Sequence, residues 1–354
     1  MRRHVALAVL VITGWFAGAP GVKTQSAMLS LPDLSPHARA MQRVGLTDVT
    51  IDYHRPLTRG RKIFGGLLPY GKVWRAGADY NTTIEFSDPV TIDGQPLAKG
   101  VYGLHMIPGE TSWVVIFSKN ATSWGSFTYD QAEDALRVNV TPQAAENQDA
   151  LSYAFGDPGP DSVVITMRWE RVAVPFKVEV NTAEIVEQSL RNQLRGRPQF
   201  EWQPWEEAAN YLLENKLSAE EAEKYAEQSI GIEDRFENEI TKARALSALG
   251  RKDEALAAQN KALAMGGQLQ MFSFARVLQG FGQQDFATEI FRLDVNKDPN
   301  SYIAHDGLAR VAVANGDYET ALKEMKLALA VAPDGMKGQV ADLIRQLENK
   351  TDIN

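Results

Sequence analysis

Between residues 53 and 105 lie the side chains best suited to chemistry: Tyr53, His54, Arg55, Arg61, Trp74, Arg75, Asp79, Asn81 and His105. A guanidinium presents a planar fork of donors that fits a carboxylate, a phosphate or sugar hydroxyls, and an indole adds a flat stacking face. Arg55, Arg61 and Arg75 set against Trp74 would suit a small anionic or carbohydrate ligand. Arg55-Pro56 and Gly60-Arg61 read as turns beside strands, where a rigid scaffold often carries its binding groups. The same arginines could instead pair with Asp52, Glu85 or backbone carbonyls and brace long loops. Acid–base catalysis would need His54 or His105 beside a carboxylate, with Asp52 and Asp79 the candidates. His54, His105 and an aspartate show no metal-ligand spacing, so no metal is expected. The segment Gly60-Arg-Lys-Ile-Phe-Gly-Gly66 lacks the Gly-Lys-Ser/Thr ending of a phosphate loop and runs into Leu67-Leu68-Pro69. No cofactor is expected.

The elements that would position these residues are strands. Val49, Ile51 and Tyr53 alternate with Thr50 and Asp52, the period of a half-buried strand. Ile84 and Phe86 alternate with Thr83, Glu85 and Ser87. Val90-Thr-Ile turns at Asp93-Gly94, and Gly100 to Ile107 reads as a strand ended by Pro108-Gly109. The apolar run Trp113 to Phe117 fits a central strand. Asp161 to Glu170 and Val172 to Val180 read as two more. No long helical period interrupts residues 31–180, which favours an all-β sandwich or barrel-like domain over alternating α/β units.

Past residue 181 the period becomes helical and then repeats. Asn181-Thr182 with Glu184 reads as a helix start, and Arg195-Gly-Arg-Pro198 as its stop. Ala243, Ala275 and Ala309 stand 32 and 34 residues apart, as do Gly250, Gly282 and Gly316, and Ala255, Ala287 and Ala321. Small residues at fixed places let paired helices cross closely, and glycine supplies the left-handed turn between them. This pattern resembles the tetratricopeptide repeat. The expected division is 1–27 a signal peptide, 31–180 the all-β domain, 181–204 a linker helix and loop, and 205–350 the repeat array. Stacked helix pairs present a face that can hold a peptide or a partner protein.

The β-rich half carries a second resemblance. The motifs are Ser35-Pro36, Gly45-Leu-Thr-Asp-Val-Thr-Ile-Asp-Tyr-His-Arg-Pro56, Gly60-Arg-Lys-Ile-Phe-Gly65 and Leu68-Pro-Tyr-Gly-Lys-Val-Trp-Arg-Ala-Gly-Ala78. Thr82-Thr83, Leu97-Ala-Lys-Gly-Val-Tyr102, Ile107-Pro-Gly109, Trp113 and Trp124-Gly125 follow in order. Together they resemble the DUF2911 family over residues 32 to 180. The resemblance implies an exported bacterial protein without an assigned activity, and a helical, repeat-like tail fits it. Asp79 stands where that family more often has Asn, and His54 where it often has a small residue.

The amino terminus fits export. Arg2 and Arg3 precede an uncharged run from Val5 to Phe16 and the small residues Ala17-Gly18-Ala19, the parts of a secretory signal. That run is shorter than the ~20 residues of a spanning helix, so no membrane span is expected. A periplasmic or secreted bacterial location follows as the expectation. The 354 residues contain no cysteine, which excludes disulfides, thiol catalysis and cysteine-ligated metal. With 37 basic against 45 acidic residues the chain carries a net charge of −8, and no basic tract suits nucleic acid. The expected function is a non-catalytic binding or protein-interaction module of the envelope. The alternative is a hydrolase or other enzyme acting on an envelope polymer or carbohydrate through the Arg/Trp/His cluster.

Overall fold

The computed structural model describes residues 32–354 apart from residue 281; the expected signal and its cleavage point lie outside them. Ten strands come first: β1 (His37–Val44), β2 (Thr47–His54), β3 (Thr83–Phe86), β4 (Val90–Ile92), β5 (Gln95–Leu97), β6 (Gly100–Ile107), β7 (Trp113–Ser118), β8 (Asp134–Val140), β9 (Gln143–Gly156) and β10 (Ser162–Val180). They form two antiparallel sheets, one ordered β1-β2-β3-β6-β7-β8 and the other β5-β4-β10-β9. Alternation along β2 puts Val49, Ile51 and Tyr53 inward, all buried. Aromatic rings join the sheets: Phe117 of β7 meets Phe176 of β10 edge-on at 6.0 Å, and Tyr53 of β2 meets Tyr153 of β9 at 4.9 Å. The β-rich half is thus a sandwich of the expected class.

One expectation about strands changes. Residues 162–180 form one strand, not two, because Glu170 adopts φ +55° and the register with β9 shifts on either side of it. Such a bulge bends a strand without ending it. The Glu170 carboxylate turns away and accepts the Ile63 N–H at 3.1 Å, pinning the 57–72 loop. The short hairpin between β4 and β5 turns at Asp93 and Gly94, both with positive φ, the geometry that suits Asp-Gly.

Ten helices follow: α1 (Thr182–Gln193), α2 (Trp202–Glu214), α3 (Ala219–Ile232), α4 (Phe236–Ala248), α5 (Lys252–Met265), α6 (Gln268–Gly280), α7 (Gln284–Val295), α8 (Tyr302–Ala314), α9 (Tyr318–Val331) and α10 (Asp334–Glu348). Asn181, Ser218, Ser301 and Asp317 cap α1, α3, α8 and α9 with their side chains, each satisfying an N–H that the helix leaves unpaired. Gly250, Gly282 and Gly316 take φ of 72–76° between the helices of three pairs. The repeat alanines 243, 275 and 309 are buried where helices cross.

The chain forms two compact units, the second running from Asn181 to Asn354. Helix α1, expected as part of a linker, packs Leu190 and Leu194 with Trp205, Leu212 and Tyr225. Its Arg191 holds Glu221 through two contacts of 2.7 Å. It therefore belongs with the helices. At the other end the chain turns at Lys350, with φ +52°, and buries Ile353 in the cluster of Ala309, Val313, Val340 and Ile344.

Candidate functional site

In the β unit the residues singled out from sequence divide into four groups. Tyr53 and Trp74 are buried. The Tyr53 hydroxyl accepts the Tyr153 N–H at 3.2 Å, and the Trp74 indole donates to Gly77 O at 2.9 Å while stacking on Trp169. Trp74 is a core ring and offers no face to a ligand. Arg55 and Arg61 take the bracing role: Arg55 donates to Leu151 O at 2.9 Å, and Arg61 to Thr58 O and Leu57 O at 2.8 Å.

His54 is buried with Asp33 at 3.3 Å, Asp52 is held by His37 and Arg39, and Asp79 accepts the Ser35 N–H. Neither His54 nor His105 hydrogen-bonds Asp52 or Asp79. His105 is buried on β6 with its Nδ1 2.9 Å from the Ser126 hydroxyl. Burial takes its imidazole down to about 4, against the pull of Asp134; it is a neutral ring at neutral pH. Among the described residues no three His, Asp or Glu side chains gather as a metal site, and no helix is long and apolar enough to cross a membrane.

Arg75, Asn81 and His105 do gather, around the 119–130 loop. Asn81 donates to Asn120 O at 3.4 Å, while its Oδ1 is buried without a partner. The Arg75 guanidinium lies 5.8 Å from the Trp124 ring centre and makes no ion pair among the described residues. Its Nε is a buried orphan; burial lowers its pKa and Asp79 works the other way. A side chain at position 125 would strike it, since a Cβ there would stand 2.6 Å from Nη1. Trp124 is 61% exposed and Phe127, stacked on it, 79%. Nothing in the sequence periodicity marked these two rings as outward-facing.

The helical unit contains a larger opening. Helices α3 and α4 pack closely, as do α7 and α8, but α5 and α6 do not. Between the α4–α5 pair and the α6–α7 pair lies a cleft of about 1310 Å³ with Leu256, Leu269, Phe274, Val277 and Phe286 along its walls. Leu269 is 60% and Val277 53% exposed. Glu206, Glu214, Glu237 and Glu289 rim it, with Lys216, Arg244 and Lys252. Burial and the neighbouring Glu237 push the Glu206 carboxyl up, although Thr241 and Asn210 hydrogen-bond it.

Sequence reasoning passed over a stripe of arginines. Arg244, Arg276 and Arg310 each directly follow a repeat alanine, and Asn210 follows Ala209 at the same interval. The signal was present in the 32- and 34-residue spacing that revealed the repeats. Arg244 donates to Asn210 Oδ1 at 2.6 Å. Arg276 and Arg310 both donate to the carbonyl of Ile353, Arg276 at 3.3 Å. Arg310 is buried, with Nε 2.8 Å from Asp306.

A β-sandwich followed by paired, repeating helices is the class of protein that this geometry defines. Within the first unit, residues 35–178 match the family DUF2911, described as a protein of unknown function. No curated protein matches the chain. Solved structures similar to it include TPR proteins. YrrB, a TPR protein with an unusual peptide-binding site, is 19% identical, with 46% of this chain and 89% of that one covered and a TM-score of 0.26. A thermophilic TPR protein of Thermus thermophilus is 15% identical over 48% of this chain and 89% of that one, TM-score 0.30. In the Cut9-Hcn1 hetero-tetramer the match is 17% identical over 48% of this chain but only 33% of that one, TM-score 0.29. Similarity at this level says nothing of what the helices bind.

Proposed function

We propose that the protein is a non-catalytic interaction module that works outside the cytoplasm and holds a peptide segment of a partner protein in the cleft between α4–α5 and α6–α7. The cleft itself carries this reading. At about 1310 Å³ it exceeds the ~300–1,000 Å³ of a small-molecule pocket. Its exposed leucine and valine side chains leave apolar area in water that a partner would cover. The rim sets Glu206, Glu214, Glu237 and Glu289 against Lys216, Arg244 and Lys252, so the apolar residues of the segment, not one sign of charge, carry its recognition. The basic, apolar and small-residue order of the first 19 residues supports the extracytoplasmic location.

Leu269→Asp/Val277→Asp tests the cleft, because both side chains are exposed and their replacement spares the core. Selection from a displayed peptide library should enrich apolar segments, and the double variant should bind them about tenfold more weakly, roughly 1.4 kcal/mol. No enrichment, or equal binding by the variant, would remove the cleft from consideration.

One observation favours a second, independent ligand on the β unit. Arg75 is half-buried without an ion-pair partner among the described residues, a costly arrangement that an anion would relieve. Trp124 fluorescence should therefore respond to a ring carboxylate such as galacturonate and not to galactose, and Arg75→Met should abolish the response. An unaltered response in that variant would exclude Arg75 as the anchor.

A further inference from the structure

Residues 351–354 lie on the helical unit as a short ligand would. Ile353 is buried among apolar side chains of α8, α9 and α10. Its carbonyl receives donors from two arginines one repeat apart, Arg276 on α6 and Arg310 on α8. The next side chain is also held: Gln279 Nε2 donates to Asn354 Oδ1 at 2.7 Å, and Asn354 Nδ2 returns a bond to Arg310 O at 3.3 Å. Asp352 shapes the segment by accepting the Asn354 N–H at 2.8 Å.

The receiving side chains also have partners outside the segment. Arg276 is steadied by Gln279 Oε1 at 2.7 Å, and Arg310 by Asp306 and by the Phe272 ring at 5.9 Å. Two guanidiniums near one another repel, and an oxygen placed between them is stabilising. The arrangement reads main chain through the carbonyl, an aliphatic side chain through the pocket, and an amide through Gln279.

We propose that residues 351–354 occupy in cis a peptide-recognition site made by Arg276, Gln279 and Arg310, and that a partner peptide with a branched aliphatic residue followed by asparagine competes with them. This rests on the reading of the helices as a peptide binder and adds a second subsite with its own regulation. A tethered segment acts at an effective concentration of about millimolar. It therefore suppresses the apparent affinity of the same peptide offered in trans, in proportion to the fraction of sites left open.

The probe is a fluorescently labelled peptide of residues 349–354, followed by anisotropy against the full chain. Wild type should bind it about tenfold or more weakly than Ile353→Asp, whose charged side chain cannot stay in the pocket. Adding Arg276→Met to Ile353→Asp should abolish the gain, whereas Leu269→Asp/Val277→Asp should leave it intact, which separates this site from the cleft. Equal binding by wild type and Ile353→Asp overturns the proposal. A chain ending at Lys350 serves if Ile353→Asp loses its helical melt. If neither released form binds the peptide, or both unfold, the segment is a structural strap and the proposal fails.

Discussion

Trp169→Ala is expected to unfold the β unit at a temperature roughly 6–20 °C below wild type while leaving the helical signal in place. Trp169 is 2% exposed on β10, stacked on Trp74 at 5.7 Å and 22°, with Phe64 edge-on at 6.0 Å. Deleting such a ring loses its transfer free energy and leaves a cavity, about 3–5 kcal/mol together. The Asp149 carbonyl also loses one of its two donors, the indole N–H of Trp169 at 3.1 Å, and keeps the Thr58 N–H at 2.9 Å. At about 2–4 °C per kcal/mol for a domain of this size, the midpoint moves by the interval stated. Near-ultraviolet circular dichroism reports the aromatic core, and the signal at 222 nm follows the helices. Trp124→Ala is the control: its ring is exposed, so its effect should stay within about 0.5 kcal/mol. Equal shifts in the two variants would mean that the Trp74–Trp169 stack does not organise the sandwich.

That contrast shows what could be read from residue types alone. Trp74 and Tyr53 drew attention as rare side chains in a dense polar stretch, yet rarity marks core rings as well as binding rings. The decision between them lies in which face of the sheet closes, a long-range fact. Alternation made β2 legible, because a period of two directly encodes one buried face. It gave no reading of β9, whose Gln143–Gly156 run buries only Leu151 and Tyr153. That strand exists because β10 pairs with it along its length, and cross-strand pairing leaves no local trace.

Helix pairs were easier, since Asn181, Ser218 and the repeat glycines act within a few residues of themselves. The same locality explains what was missed around the stripe. Alanine at a crossing signals packing through its size, whereas the arginine beside it acquires a meaning only once Ile353 is folded back onto α8. For Arg55 and Arg61 the sequence left binding and bracing open, and backbone carbonyls took their donors, that of Leu151 in β9 for Arg55 and those of Leu57 and Thr58 for Arg61. Arg75 differs from them in that no carbonyl or carboxylate among the described residues bonds it, which spacing does not encode.

Asp294→Asn should stabilise the helical unit at pH 8 by about 1–3 kcal/mol and have little effect near pH 4. Asp294 of α7 is 0% exposed, and neither carboxyl oxygen has a partner among the described residues. Burial pushes its pKa from 3.8 to about 7, against the attraction of Lys297. Between those two values the folded chain holds a proton that the unfolded chain has released. Stability therefore falls as pH rises from about 4 to 7, and it stays low above 7, where the folded state must carry an unpaired buried charge. Asparagine keeps nearly the same shape and never ionises; a neutral amide without a partner costs less than a charge. Thermal melts of the two chains at a series of pH values isolate this group, because the other titrating residues contribute equally to both and cancel in the difference. The difference should grow through the interval from pH 4 to 7 and then level off. A difference independent of pH would show that Asp294 is ionised throughout and has a counter-charge or water beside it.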